Sequence, residues 1–302
     1  MEKSAERPDL MQSPASLKWL TAGLSFSILW ASASAATKIG LISAQPFTIA
    51  ISRFGVAAAF MLIITHLILS KKLPRSQKIW KQLTVYGFLN ISLYLGLYVL
   101  AMEEVSAGIG TLFVATNPVL ITLISTIWFK QKVQPRIWIS LILCGVGVLL
   151  AAYPLIIAGY ASIEGLLIMV LSMICYSVGA IYYSRKDWQG LHILTINAWQ
   201  TLIGGILLLP VFIIFYDPSA NNFDLRLLGS VLWLALPVSI GAVMLWLYLL
   251  SRDTIKASFW LFLCPIAGFA IASLLMNEPL TFYTLIGVIF VLGGLYLTQA
   301  GR

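Results

Sequence analysis

Long uncharged runs of apolar residues, separated by short polar segments, make up most of this 302-residue chain. A helix needs roughly 20 consecutive apolar residues to cross the hydrocarbon of a bilayer, and the runs reach about that length. Barrel strands would instead alternate in segments of about ten residues. The pattern therefore predicts an all-α integral membrane protein. The ten predicted transmembrane helices lie at about 17–37, 47–70, 82–101, 105–129, 136–153, 164–184, 193–215, 228–250, 255–276 and 281–299.

One apolar segment occurs twice along the chain. Residues 107–135 contain Asn117-Pro118 near their middle, and residues 254–282 repeat the pattern around Pro265, with an offset of 147 residues and no gap. A proline inside a helix removes a hydrogen bond and creates a steric clash. Two prolines at matching positions therefore indicate one structural unit that is used twice.

The repeat divides the chain into two predicted units, residues 17–153 and residues 164–299. Each unit holds five spans, and because five is an odd number, the second unit must enter the membrane from the opposite face. Lys38 and its offset partner Arg185 accordingly fall on opposite sides of the membrane. Inverted repeats that meet around a midplane site are typical of alternating-access transporters. The sequence thus predicts a five-plus-five inverted repeat with a central site.

The amino-terminal end is polar over residues 1–16, which predicts a disordered cytoplasmic tail. The next run, with Ala33-Ser34-Ala35, superficially resembles a cleavable signal peptide. However, the polar lead carries no net charge, and the run has a counterpart in the second unit. We therefore expect it to remain as the first transmembrane helix.

Charge is scarce and unevenly placed. Only 10% of the residues are charged, against about 25% in an ordinary soluble domain. Sixteen of the nineteen lysines and arginines fall on the same side of the membrane as the amino terminus. The exceptions are Lys38 and Arg226, which fall on the opposite side, and Arg53, which lies within a span. By the positive-inside rule, this predicts a multi-pass protein of the cell (inner or plasma) membrane with both termini cytoplasmic. The net charge of +8 then reflects topology and attraction to anionic membrane lipids, and nucleic acid binding is not required.

Motifs across nearly the whole chain resemble the drug/metabolite transporter superfamily, and within it the EamA type. The clearest match is KASFWLFLCPIAGFAIASLLMNEPLT in the second unit. The residues at that family's spacing are Trp30-Ala31-Ser32, Lys38, Arg53, Lys256-Ala257-Ser258, Pro265 and Asn277-Glu278. Two positions depart from the family pattern: Lys130-Gln131-Lys132 replaces a glutamate in the first unit, and Ala31 replaces a glycine.

This resemblance implies ten helices around a central cavity formed by helices one, three, four, six, eight and nine. Known substrates of such proteins are varied small metabolites, including amino acids, amines, nucleotide sugars and drugs, and many bacterial members export them. We chose the candidate cavity residues from polar and aromatic positions on those helices. They are Trp30, Asn90, Tyr94, Thr111, Asn117, Tyr176, Tyr248, Ser258 and Trp260.

Three further residues are candidates for hinges or gates. Pro118 and Pro265 would each free a carbonyl and bend a helix, although a static kink is the alternative. Arg53 lies well inside a predicted span, where a charge is costly and by default functional. It would contact an anion or gate the outer mouth. Alternatively it would snorkel to the interface or pair with Glu103 or Glu104.

The leading functional prediction is a secondary transporter that exports small metabolites such as amino acids, amines or related drug-like compounds. An importer or facilitator of the same solutes is an alternative, because binding energetics do not set net direction. A membrane-embedded enzyme acting on lipid-linked substrates would need paired carboxylates, a metal cluster or an activated nucleophile. No such motif occurs, so we expect no catalytic residues, metal or cofactor. A homodimer is possible, and a receptor or scaffold would have no use for the repeat.

Overall fold

The computed structural model describes residues 14–130, 134–252 and 260–299, and all regular structure in these ranges is helical. The ten-helix prediction is confirmed. Eight of the helices are long and apolar enough to cross a membrane, and α9 and α10 are shorter apolar helices. The helices are α1 (Pro14–Leu41), α2 (Pro46–Ile68), α3 (Gln77–Glu104), α4 (Ala107–Trp128), α5 (Pro135–Ile157), α6 (Ile163–Arg185), α7 (Ile193–Phe215), α8 (225–252), α9 (Leu263–Met276) and α10 (Phe282–Gln299).

Several helices begin at residues suited to that position. The side chains of Ser106, Ser162 and Asp224 accept hydrogen bonds from backbone N–H groups in the first turns of α4, α6 and α8. Such caps satisfy donors that have no partner within the helix. Pro46 and Pro135 open α2 and α5, where a missing N–H costs no hydrogen bond.

The two five-helix repeats pack against each other in reciprocal pairs. Helix α1 packs against α8 and α9, and its counterpart α6 packs against α3 and α4, which are the counterparts of α8 and α9. Helix α2 packs against its own counterpart α7, and α5 packs against its own counterpart α10. These pairings obey a two-fold relation between the repeats, which run in opposite directions because each contains five helices.

The α5–α10 pair is held at very short range by small residues. A Cβ atom added to Gly147 would lie 2.6 Å from the carbonyl oxygen of Gly287, and the reverse substitution would meet the carbonyl oxygen of Gly147. At the symmetry-related crossing, a Cβ on Gly294 would lie 2.7 Å from the carbonyl oxygen of Ser140. Small residues allow transmembrane helices to approach closely and gain packing energy. This pair therefore forms a closely packed seam, and neither helix lines the central cavity.

Two helices contain π-helical segments at matching positions. They are Phe88–Leu95 in α3 and Leu234–Ala242 in α8, and the 147-residue offset superimposes them almost completely. π-helical turns are rare in proteins, and those that do occur are frequently found at functional sites. Their symmetric placement shows that they belong to the repeated design.

The two repeated prolines mark interruptions of regular α-helix. Helix α4 is divided at Thr116 into Ala107–Ala115 and Asn117–Trp128. Helix α9 is preceded by a 3₁₀ turn over Trp260–Phe262. Each proline lies in the first turn after the break, where it removes no hydrogen bond that the helix needs. The breaks therefore lie at equivalent places in the two repeats.

Candidate functional site

A cavity of about 120 Å³ lies between the two repeats. Its lining comes from α1, α2, α3 and α4 of the first repeat and from α6, α7 and α8 of the second. A single water occupies about 10–15 Å³ by this kind of measure, so the cavity holds a molecule of roughly ten non-hydrogen atoms. Both π segments contribute to the wall, because Asn90 and Tyr94 belong to one and Val238 and Ser239 to the other.

Arg53 projects from α2 into this cavity and is only 6% exposed. Its Nε and Nη2 atoms lie 3.4 Å and 3.2 Å from the hydroxyl oxygen of Ser239 in the other repeat. That hydroxyl in turn donates to the carbonyl of Leu234. Within the described ranges, no carboxylate pairs with Arg53, so it neither snorkels out of the bundle nor binds Glu103 or Glu104. The cavity therefore carries a buried positive charge.

A chain of side-chain amides lies on the wall formed by α3 and α7. Asn90 Nδ2 donates to Gln200 Oε1 at 3.2 Å, and Gln200 Nε2 donates to Asn197 Oδ1 at 2.8 Å. Asn90 and Asn197 both line the cavity, while Gln200 is buried behind them. Because each amide supplies a partner to the next, this wall is polar and largely satisfied without a ligand.

Aromatic rings form a third part of the wall. The rings of Tyr94 and Tyr176 lie 4.8 Å apart between centroids, and those of Tyr94 and Tyr98 lie 6.2 Å apart. Trp30 lines the cavity from α1. Such rings offer a large apolar contact area with a polar atom at one edge.

A hydroxyl cluster joins α1, α3 and α4 beside the cavity. The hydroxyl oxygens of Ser34 and Tyr98 are 2.7 Å apart, and the hydroxyl of Thr111 donates to Ser34 Oγ at 2.8 Å. All three side chains are buried and line the cavity. Their mutual bonds hold the three helices together at this level.

At one end of the bundle, which we call the Glu278 end, a contact joins the two repeats. The Glu278 carboxylate follows α9 and accepts hydrogen bonds from the backbone N–H groups of Ala107 and Gly108 at 2.6 Å and 3.1 Å. These groups open α4, and the start of a helix favours negative charge. Lys38 Nζ donates to the carbonyl of Glu103 nearby, at 3.1 Å. The central helices α4 and α9 are therefore joined at this end.

The predicted site residues fall into two groups. Those that line the cavity are Trp30, Arg53, Asn90, Tyr94, Thr111 and Tyr176. Those that the structure places outside its lining are Asn117, Pro118, Tyr248, Trp260 and Pro265. Ser258 lies outside the described residues.

The residues outside the lining have positions of their own. Tyr248 and Trp260 belong to an aromatic cluster with Phe26, which adjoins the cavity through Trp30. Asn117 is buried at the break in α4, and its Oδ1 atom has no hydrogen-bond partner among the described residues. Part of the predicted set therefore supports the wall from behind.

Sequence reasoning did not single out Ser239 or Thr201, and it did not place α2 and α7 in the cavity. Both helices contribute to the lining, whereas the described part of α9 does not. A signal for Ser239 existed, since the 147-residue offset pairs it with Ser92 inside the other π segment. The hydroxyl of Ser92 is also bonded, at 2.7 Å, to the carbonyl of Gly204.

Metal chemistry and thiol chemistry have no visible centre in the described part of the chain. A search of those residues finds no group of three His, Cys, Asp or Glu side chains that could hold a metal ion. Cys144 and Cys264 are buried and Cys175 is half-buried, and none forms a disulfide.

Ten helices in an inverted repeat around a central cavity are an architecture typical of secondary transporters.

Comparison with known proteins agrees with that class. The profile of the EamA-like transporter family matches residues 17–153 and again residues 163–299. The chain therefore belongs to the EamA-like transporter family and is a multi-pass membrane protein.

Individual relatives are distant but cover most of the chain. An uncharacterized transporter of Archaeoglobus fulgidus is 25% identical over 293 residues, covering 94% of this chain and 99% of its own. Protein PecM of Dickeya dadantii is 28% identical over 238 residues, covering 77% of this chain and 78% of its own. A solved crystal structure superimposes with a TM-score of 0.64 at 17% identity, covering 93% of this chain and 97% of that chain. This last likeness concerns the fold alone.

Proposed function

We propose that the chain is a secondary, alternating-access transporter that exports small metabolites such as amino acids, amines or related drug-like compounds from the cytoplasm. The observation that carries the proposal is the cavity between the inverted repeats, whose mainly apolar wall carries the polar side chains of Arg53, Asn90 and Asn197. A site at such an interface is exposed to either side when one repeat tilts against the other. The paired helix breaks near Pro118 and Pro265 supply places where the central helices can bend.

The contacts of Glu278 bear on the face of the membrane to which the site opens at rest. By the positive-inside rule, the Glu278 end faces outwards, and there the carboxylate joins α9 to the start of α4. In the first repeat, Gln131 occupies the offset position, so the sequence supplies no equivalent charge at the cytoplasmic end. A transporter held together at its outer end would load its site from the cytoplasm, as an exporter requires, although the resting state alone does not set net direction.

Thiol labelling tests alternating access without knowledge of the substrate. In a variant with its three native cysteines replaced by alanine, Thr201→Cys places a thiol in the cavity wall. We expect a membrane-impermeant thiol reagent to modify it both in right-side-out and in inside-out vesicles. Faster modification from the cytoplasmic face would show that the resting protein opens mainly to the cytoplasm.

Ile206→Cys on the same helix is the matched control. Its side chain is 53% exposed on the lipid-facing surface of α7, so a charged reagent should leave it unmodified from either face. Labelling of Thr201→Cys from one face only, under all gradients applied, would contradict alternating access. That outcome would favour a one-sided site, such as that of an enzyme acting on lipid-linked substrates.

The proposed location is the cell membrane, with both termini in the cytoplasm. A carboxy-terminal fusion to a reporter that fluoresces only in the cytoplasm should fluoresce. A fusion to a phosphatase that is active only outside the cytoplasm should be inactive. The opposite pair of results would invert the topology and, with it, the direction proposed for the Glu278 end.

A further inference from the structure

We propose that the cavity binds a small organic anion, with the substrate carboxylate on Arg53 and its apolar or aromatic body against Tyr94, Tyr176 and Trp30. This assignment rests on the proposed transport function and narrows it to one class of substrate. It rests on the position of the arginine, on what the other walls of the cavity contain and on the cavity's size.

The first observation is that Arg53 is buried without a negative partner. Its side chain is 94% shielded, and its only hydrogen-bond acceptor in the described ranges is the Ser239 hydroxyl, at 3.2–3.4 Å. A guanidinium has five N–H donors, and one neutral oxygen at that distance leaves most of its capacity unused. A buried charge without compensation is costly. A ligand anion would supply the missing acceptors.

The second observation concerns charge on the rest of the wall. No aspartate or glutamate lines the cavity in the part of the chain that the structure describes. A purely cationic amine would therefore meet a fixed positive charge and no counter-ion, and the aromatic faces would offer it only a modest cation–π attraction. A cationic substrate is disfavoured. A zwitterion remains compatible, because its carboxylate can bind Arg53 and its ammonium can bind the oxygens of Asn90 or Asn197.

The third observation is the match of size and shape. The planar fork of a guanidinium fits both oxygens of a carboxylate at once. Beyond Arg53, the cavity has room for roughly ten non-hydrogen atoms, and the close pair of Tyr94 and Tyr176 rings can contact a flat apolar group. The ligand expected from these features is a monocarboxylate with one small ring or a short branched chain.

Three probes of nearly equal size test the assignment on the detergent-purified full chain. They are phenylacetate, which is anionic, phenylacetamide, which is neutral, and phenethylamine, which is cationic. A ligand that binds only the folded state raises the melting temperature by mass action. We expect phenylacetate at millimolar concentration to raise it and the amine to leave it unchanged, with the amide at least tenfold weaker than the acid.

The variants Arg53→Gln and Arg53→Lys test whether the preference for the acid depends on the Arg53 side chain. The glutamine variant should weaken phenylacetate about 10- to 100-fold, as expected for charged hydrogen bonds, and should abolish discrimination between acid and amide. The lysine variant keeps the charge but loses the fork, so it should be intermediate. Arg226→Gln, an exposed position at the Glu278 end, is the control and should bind as the parent does. Because Arg53→Gln removes an uncompensated charge, its melting temperature without ligand should be no lower than the parent's.

Equal stabilisation by acid, amide and amine would overturn the inference, and so would no stabilisation by phenylacetate. Unchanged phenylacetate binding in a folded Arg53→Gln protein would do the same. The labelling of Thr201→Cys from both faces needs no ligand. Two-sided labelling without acid preference would therefore contradict this inference and leave the transport proposal intact. Acid preference with one-sided labelling would support anion binding and contradict the transport proposal.

Discussion

Arg53 and Gln200 occupy the same position in the two repeats, 147 residues apart, and they behave differently. Each lies about seven residues into its helix, α2 or α7, and each contacts the π segment of the helix that packs against it. Gln200 accepts from Asn90 and donates to Asn197, at 3.2 Å and 2.8 Å. In the part of the chain that the structure describes, Arg53 reaches only the Ser239 hydroxyl, at 3.2–3.4 Å.

The difference distinguishes the side of the cavity whose polar groups are already satisfied from the side that leaves a charge for a ligand. The repeat provides equivalent helices, equivalent π segments and equivalent contacts on both sides of the cavity. On the Gln200 side the polar groups satisfy one another, so that side is complete without a ligand. On the Arg53 side a charge is left for the ligand to neutralise. We infer that divergence at this pair of positions holds the anion towards the Glu278 end of the cavity.

The largest expected effect comes from making the two positions alike. Gln200→Arg would place a second charge behind the cavity wall and break the amide chain. An uncompensated buried charge costs about 3–5 kcal/mol, so we expect a large drop in melting temperature or loss of the folded protein. The measurement is size-exclusion chromatography and thermal unfolding of the purified variant. A variant as stable as the parent would show that this side of the cavity is hydrated well enough to hold a charge.

A second pair of equivalent positions should respond equally. Gly147→Ala and Gly294→Ala each push a Cβ to within about 2.7 Å of atoms across the α5–α10 seam. Overpacking of this kind costs about 1–3 kcal/mol, and the two variants should lose similar amounts because the crossings are symmetric. Gly145→Ala on α5, where a Cβ meets nothing within 4 Å, should lose nothing. Unequal losses of stability in thermal unfolding would show that the two crossings differ in packing energy although their geometry is symmetric.

The third comparison concerns Glu278 and its offset partner Gln131. Glu278→Gln gives the two repeats the same residue and removes the charge from the start of α4. Exchanging a charged for a neutral hydrogen-bond acceptor costs about 1 kcal/mol. We expect the Glu278 end to open more often, so that Thr201→Cys is modified about fivefold faster from that face. An unchanged rate would mean that the carboxylate stabilises the fold without controlling access.

The smallest effect on stability is expected at the paired prolines. Pro118→Ala and Pro265→Ala replace residues in the first turn of a helix segment, so each should change stability by less than about 1 kcal/mol. Both variants should insert normally, yet label more slowly at Thr201→Cys if the helix breaks act as hinges. Normal labelling rates in both would identify the breaks as static.

Much of the fold could be predicted from the sequence. The apolar runs encode ten helices because each must satisfy its own backbone inside the membrane. The offset between Pro118 and Pro265 encodes two units, and the odd number of helices encodes their inversion. Arg53 stood out because charge is rare within a span. Each of these signals depends on local composition or on comparison of the chain with itself.

The arrangement of the cavity was decided by tertiary structure. In a membrane, lipid is as apolar as the protein interior, so hydrophobic periodicity does not mark which face of a helix turns inward. The sequence therefore pointed to Tyr248 and Trp260, which lie behind the wall, and did not point to Ser239, which lies in it. Arg53 and Ser239 are 186 residues apart and meet only when the repeats pack. The packing of the repeats places the buried cation at a cavity whose described lining holds no carboxylate. No single segment of the sequence encodes that arrangement.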